Sequence, residues 1–389
     1  MKSKTLLLAL LAGVQTLLSV RIFWRLLRSA GGARILPDIA ELRGQPWDGP
    51  CVSVTVPVLN EYHRLAPCLQ GLIAQGAEVC EIVVVDGGSH DGTQQLVTTY
   101  ARLDSRVRLL DASPVPSTWN GKAWGLQSGL CAASPDAEWF LTVDADVRPR
   151  ASLTRALLAQ AERARLSALS IATLQEIEGV GVGWLHPSLL TTLVYRFGIP
   201  GKVFRRVSEV QANGQCFLFN REVLESCGGF LGTRTSICED VTIARTLVAA
   251  GYPVGFYEAG DLVTVKMYAD WRDAWRNWTR SLPMHDRFSG INTLLGWLEV
   301  ALVQALPLPL LLLLITARRQ RSWPIMLNSI LLAMRIGVLF GTTRAYQQRP
   351  WSYWLSPLCD LPVAIQLGRS MLKRRHVWRD RVLVRGGLQ

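Results

Sequence analysis

Apolar residues in this chain fall into two kinds of run. Residues 5–20 form an almost unbroken leucine-rich stretch, and residues 292–316, 324–341 and 353–371 repeat that character in the C-terminal quarter. Each is long enough, or nearly so, to cross about 30 Å of bilayer. Between them, short β-branched runs alternate with helical periodicity. Residues 52–58, 81–85, 107–110 and 139–143 read as strands, with helices over 64–75, from Thr93 through Tyr100, and over 122–133. Strand and helix in alternation predict parallel pairing through right-handed crossovers, and so an α/β domain. Residues 216–219 add a strand, and a helix opens at Glu239-Asp240 and closes before Gly251.

The polar residues that end these runs are unevenly placed. Val52–Val58 leads into Leu59-Asn60-Glu61, the second strand into Asp86-Gly87-Gly88-Ser89-His90-Asp91-Gly92-Thr93, and the Trp139 strand into Asp144-Ala145-Asp146. Ligands of open α/β sheets gather beyond the carboxyl ends of the strands. Acids at successive strand ends therefore predict a site, and Asp-x-Asp offers hard oxygen ligands suited to Mg²⁺ or Mn²⁺. Taken alone, Asp86 and Glu239-Asp240 also fit turn and helix-capping roles. Gly179-Val180-Gly181-Val182-Gly183 lacks the strand, helix and downstream acid of a dinucleotide fingerprint; it reads as a loop carrying Trp184 and Leu185. The stretch 176–206 mixes apolar and basic residues and is open to two readings, a membrane-facing acceptor guide or ordinary core.

Charge narrows the class. The formal net charge is +12, yet the cations cluster beside apolar segments and no nucleic-acid-binding motif is present, so a membrane partner is expected and nucleic acid is not. Lys2 and Lys4 precede the first apolar run and Arg21, Arg25 and Arg28 follow it, without a small-residue cleavage site, which favours an anchor over a signal peptide. Arg21, Arg25, Arg28 and Arg34 place the middle domain in the cytoplasm. Arg318-Arg319-Gln320-Arg321 and Lys373-Arg374-Arg375 lie on the same side only if residues 292–316 turn back at Pro307 and Pro309. Arg335 and Asp360 are costly in lipid and should face other helices or a polar cavity. The 8 cysteines have no C-x-x-C spacing, so buried free thiols are expected and a zinc site is not.

Pro57-Val58-Leu59-Asn60-Glu61, the Val84–Thr93 run, Asp144-Ala145-Asp146 and Cys238-Glu239-Asp240 resemble, in order and spacing, the family 2 inverting glycosyltransferases. The flanking membrane segments and Trp119-Asn120-Gly121-Lys122 look most like the membrane-bound branch that includes carotenoid and hopanoid-associated enzymes. That resemblance implies a GT-A fold, the Rossmann-like nucleotide-diphospho-sugar transferase domain, over residues 52–266. Around it lie an N-terminal anchor (1–29), a linker (30–51), an amphipathic interface helix (267–290), C-terminal membrane segments (291–372) and a basic tail (373–389). It also implies site roles. Asp240 would be the general base with Glu239 beside it. Pro57, Glu61, Asp86, Lys122 and Asp144 would bind the nucleotide sugar, with Lys122 facing the diphosphate. Asp146, with Asp144, would hold Mg²⁺ or Mn²⁺.

Trp275, Arg276 and Trp278 belong to an aromatic and basic helix expected at the acceptor or membrane interface. Processive family members carry Gln-x-x-Arg-Trp near this point. Arg276-Asn277-Trp278 is only a partial echo with no matching Gln, which favours transfer of one sugar over polymer synthesis. The expected protein is a multi-pass enzyme of the inner (plasma) membrane. It would move a sugar from a nucleotide sugar, a UDP-sugar by preference, to the hydroxyl of a carotenoid, hopanoid or glycolipid precursor. A sugar nucleotidyltransferase, a processive synthase and a non-catalytic membrane scaffold are the alternatives.

Overall fold

In a computed structural model of the protein, residues 2–31, 46–236, 238–280, 290–316, 322–372, 375–378 and 381–384 are described. The chain forms two compact units. One joins Gly32–Gln175, Pro200–Met267 and Arg374–Gln389; the other joins Met1–Gly31, Glu176–Ile199 and Tyr268–Lys373. The span 52–266 is thus interrupted, because Glu176–Ile199 belongs to the second unit.

The first unit is built on β1 (Val52–Val58), β2 (Val79–Asp86), β3 (Val107–Asp111), β4 (Trp139–Val143), β5 (Val147–Pro149), β6 (Ala168–Ala172), β7 (Leu174–Gln175), β8 (Lys202–Phe204), β9 (Cys216–Asn220), β10 (Val254–Glu258) and β11 (Val263–Val265). Eight of these form one sheet in the order β3-β2-β1-β4-β9-β6-β10-β8. Strands β1 to β4 pair in parallel, as their crossover helices require, whereas β9 runs antiparallel to both β4 and β6. Burial of β1 on both faces explains why it carries no charged residue: Val52, Val54 and Val56 lie in the core, and the small polar Ser53 and Thr55 are buried opposite them. A second, three-stranded sheet has the order β5-β11-β7. Asp144-Ala145-Asp146 is the passage from one sheet to the other, turned by a bond from the Val147 N–H to the Asp144 carbonyl at 3.1 Å.

Cys51 and Cys80 are joined in a disulfide, which corrects the expectation that all the cysteines are free. The register that sets Val52 opposite Val79 brings the two starting points of β1 and β2 together, a proximity that 29 residues of separation conceal. Cys68, Cys131, Cys216, Cys227 and Cys359 are free thiols.

In the second unit, Leu8–Ser29 and Trp323–Ala345 are long and apolar enough to cross a membrane. Ile291–Ala305 and Pro307–Thr316 meet at a 44° bend, the geometry of a broken span or a re-entrant loop. Residues 353–371 do not make a third straight span. Trp351–Cys359 is a 3₁₀ segment and the helix Asp360–Leu372 has 13 residues, about 20 Å of rise. Helix Gly179–Phe197 replaces the loop expected at the glycine run. Two of its glycines serve close approach: a Cβ on Gly181 would stand 2.7 Å from Trp271, and one on Gly183 would stand 2.2 Å from Pro350. Residues 32–45 of the linker, Arg318-Arg319-Gln320-Arg321, and Lys373 and Arg374 of the basic tail lie outside the described residues.

Arg335 and Asp360 pair with each other. The Arg335 Nε donates to Asp360 Oδ2 at 2.8 Å, and Ser188 Oγ and Gln304 Nε2 donate to Asp360 Oδ1 at 2.6 and 2.8 Å. Both charges are buried (1% and 2% exposed), so removing one leaves the other uncompensated. Arg335→Met should cost about 3–5 kcal/mol, read as an earlier thermal transition in detergent. Arg335→Met with Asp360→Leu should recover part of that loss, and an unchanged transition in the single variant would refute the pairing's role.

Candidate active site

Because β1, β2 and β4 are parallel neighbours, their carboxyl ends open on one sheet edge. Strand β9 joins them from the other direction: Val143 pairs with Cys216, so the residues that enter β9 lie where β4 ends. The polar run Gln211-Ala212-Asn213-Gly214-Gln215, which sequence reasoning passed over, is thereby brought beside Asp144. The Asp144 N–H donates to the Gln215 carbonyl at 2.9 Å.

Lys122, in the first turn of helix Gly121–Ala132, is the centre of the arrangement. Its Nζ is 2.7 Å from Asp144 Oδ1, 2.9 Å from Asp144 Oδ2 and 2.8 Å from Glu239 Oε1. The Lys122 and Asp144 side chains lie deep in the domain yet keep 21% and 26% of their surface open. Burial alone would push the ammonium's pKa down, but Asp144, Glu239 and Asp240 outweigh it and the net direction is up. Burial pushes Asp144 up to about 6, with Lys122 opposing. Asp146 also lies above the usual carboxylate range, through burial first, with Arg64 opposing.

Asp240 follows Glu239 at the start of helix Glu239–Ala249. Its Oδ2 accepts the Gly214 N–H at 2.7 Å and its Oδ1 the Val241 N–H at 2.8 Å. Burial, and then the neighbouring Glu239, push this carboxyl up to about 7. A group poised there exchanges protons readily near neutrality, as a general base must.

Gly214 is the residue of this cluster that sequence reasoning missed, and a Gly in a polar run just before an apolar strand was its only signal. Its side is filled: a Cβ would sit 3.0 Å from Lys122 Nζ and 3.2 Å from both Asp240 Cβ and Glu239 Oε1. Behind it, Asn213 N–H donates to Ser170 Oγ at 2.7 Å, and Thr173 Oγ1 to Gln215 Oε1 at 2.6 Å. Shifts of a few tenths of an ångström follow from Gly214→Ala. The expected loss in kcat is about tenfold, below the roughly 10²-fold attached to a 1 Å misplacement. Steady-state kinetics with a thermal melt would check it; kcat unchanged would show that the contact gives way freely.

Pro57 lies in β1 and Glu61 stands at the N-cap position of the following helix, where its carboxylate pairs with Arg64 at 2.9 Å instead of capping the helix N–H groups. Asp86 ends β2 fully buried, accepting bonds from the Ser89 N–H and hydroxyl, the Gly88 N–H and Gln94 Nε2. Its oxygens therefore organise their own loop. That loop is laced to the end of β1, where Asn60 N–H reaches Ser89 Oγ at 2.8 Å and Glu61 N–H reaches Thr93 Oγ1 at 2.9 Å. Lys122, Asp144 and Glu239 are thus directly connected, Asp240 joins them through Gly214, Asp146 stands two residues on, and Pro57, Glu61 and Asp86 shape the adjoining strand ends. Trp275, Arg276 and Trp278 belong to the other unit, where Trp278 is buried and Arg276 exposed.

Among the described residues no three His, Cys, Asp or Glu side chains converge to hold a metal ion. The donor chemistry of Asp144 and Asp146 still suits a hard cation, since Mg²⁺ is commonly held by one or two carboxylates plus substrate phosphates.

Residues 53–228 match the family described as Glycosyl transferase family 2, so the chain carries a glycosyltransferase family 2 domain, with a GT-A-like α/β fold and a mixed sheet. Its curated relatives include 4,4'-diaponeurosporenoate glycosyltransferases. That of Staphylococcus haemolyticus (strain JCSC1435) is 23% identical over 234 residues, which are 59% of this chain and 60% of that protein. That of Staphylococcus aureus (strain USA300) is 24% identical over 238 residues, with the same two shares. The chain thus spans about 60% of the length of these relatives. Among solved structures, the mannosyltransferase PcManGT from Pyrobaculum calidifontis, in complex with GDP-Man and Mn²⁺, is similar at 19% identity and a TM-score of 0.48, over 91% of this chain and 97% of that one.

Proposed function

We propose that this protein transfers a single sugar, with inversion, from a nucleotide sugar to the hydroxyl of an apolar lipid acceptor. The observation that carries the reading is Asp240, raised to about 7 and held by Gly214 beside the Lys122–Asp144 pair. Asp240 accepts the acceptor hydroxyl's proton as that oxygen attacks C1. The bond from C1 to the diphosphate oxygen breaks on the opposite face, and its electron pair leaves with the nucleoside diphosphate. Lys122 offers its ammonium to that departing charge. A divalent cation, Mg²⁺ or Mn²⁺, held by Asp146 and Asp144, would supply further charge neutralisation. Pro57, Glu61 and Asp86 shape the nucleotide pocket, and the relatives favour a carotenoid-like acceptor.

The test is to incubate the full chain in lipid with a panel of UDP-sugars and GDP-mannose. Release of nucleoside diphosphate, with a hexose-sized mass gain in the lipid extract, is expected. Release of pyrophosphate would instead indicate a sugar nucleotidyltransferase, and no release at all a non-catalytic scaffold.

The helices Leu8–Ser29 and Trp323–Ala345 support membrane residence. Exposed Trp271, Trp351 and Trp354, with exposed Arg272 and Arg276, support an interfacial surface on the helical unit that includes Trp275. The basic flanks of the first helix support a cytoplasmic site in the inner membrane, and the Cys51–Cys80 disulfide is the observation that points the other way. Cys131 is free and exposed on the catalytic unit. In intact cells it should resist an impermeant maleimide until the membrane is opened; immediate labelling would reverse the orientation.

A further inference from the structure

The acids that would meet a cation already hold one. Lys122 Nζ spans both oxygens of Asp144, at 2.7 and 2.9 Å, and reaches Glu239 Oε1 at 2.8 Å. Both Asp144 oxygens are occupied, and a divalent ion placed against either would face a full positive charge within a few ångströms. The two carboxylates are not equivalent. Asp144 lies beside Asp146 and is 26% exposed, whereas Glu239 is 8% exposed and follows Cys238 at a helix start. An ammonium that releases Asp144 while keeping Glu239 needs only to pivot.

We propose that Lys122 is a resident counter-ion, tethered by Glu239, which blocks Asp144 until a nucleoside diphosphate draws its ammonium away, so that divalent cation and nucleotide bind together and neither binds tightly alone. The inference rests on the reading of the site given above and goes beyond it: the lysine assigned to the diphosphate also sets the order of loading. The exchange is balanced in charge. Asp144 gives up a monovalent partner and gains a divalent one, while the diphosphate gains the ammonium.

The experiment is a Mn²⁺ titration of the full chain in detergent, followed by electron paramagnetic resonance, without and with saturating UDP or GDP. In the wild type, the diphosphate should tighten Mn²⁺ at least about tenfold. Lys122→Met should bind Mn²⁺ alone about tenfold more tightly than the wild type and gain less from the nucleotide; Lys122→Arg, which keeps the cation, should retain the coupling. Mn²⁺ affinity independent of the nucleotide in the wild type would overturn the proposal, and that comparison needs no variant to fold. If UDP and Mn²⁺ bind together but Lys122→Met leaves Mn²⁺ binding unchanged, only the lysine's gating role falls. If neither nucleotide binds with Mn²⁺, the glycosyltransferase reading falls with it.

Discussion

Asp240→Asn should lower kcat by about 10²–10⁴-fold while nucleotide binding and the thermal transition stay at wild-type values. Asn can still accept the Gly214 N–H that reaches Asp240 Oδ2 at 2.7 Å, so the loss isolates proton acceptance from positioning. The pH dependence follows from the sign of the shift. Burial and Glu239 raise the Asp240 carboxyl to about 7, and only its deprotonated form takes a proton. Wild-type kcat/KM should therefore rise with pH up to about 7 and level off above it. Below about 6 the fall steepens, because burial also raises Asp144, to about 6, and its protonation weakens its hold on Lys122 or a metal. The limb near 7 should be missing from the residual activity of Asp240→Asn. Activity within about threefold of wild type, far short of the roughly 10²-fold or greater loss that removing a general base entails, would remove Asp240 from the role.

Asp146→Ala is expected to cost about 10²–10³-fold in kcat, the size attached to removing one preorganised electrostatic contact from a buried site. Its signature differs from that of Asp240. Asp146 is held above the ordinary carboxylate range by burial, with Arg64 and Lys122 among the charges that pull it back down. Taking away its charge removes a metal ligand from the proposed cation site but leaves the Gly214–Asp240 bond untouched. Mn²⁺-dependent binding of the nucleotide, measured calorimetrically, should fall along with turnover, whereas circular dichroism should not change. If turnover fell but Mn²⁺-dependent nucleotide binding stayed intact, Asp146 would have a role other than holding metal.

Several elements were legible in the pattern of residues because their causes are local. Buried parallel strands show as β-branched runs, their crossover helices show as 3.6-residue periodicity, and Asp144, Asp146, Glu239 and Asp240 stand where those elements begin or end. The glycine run at 179–183 misled because Gly answers two demands with one letter. It marks flexible loops and also close helix approach, and only the nearness of Trp271 and Pro350 shows which demand applies. The disulfide was hidden for a similar reason: Cys51 and Cys80 meet only through the pairing of β1 with β2.

What the order of residues determined by itself was the alternation of strand and helix, the apolar segments at both ends and the positions of the acids, since each depends on neighbours within a few residues. Tertiary structure alone decided which groups touch. Antiparallel entry of β9 beside β4 brings Gly214 against Asp240, and the same junction gathers Asp144 and Glu239 around the Lys122 ammonium. Contacts between residues 92 positions apart, such as Lys122 with the Gly214 carbonyl, are set by sheet register, and register is a property of the folded sheet as a whole.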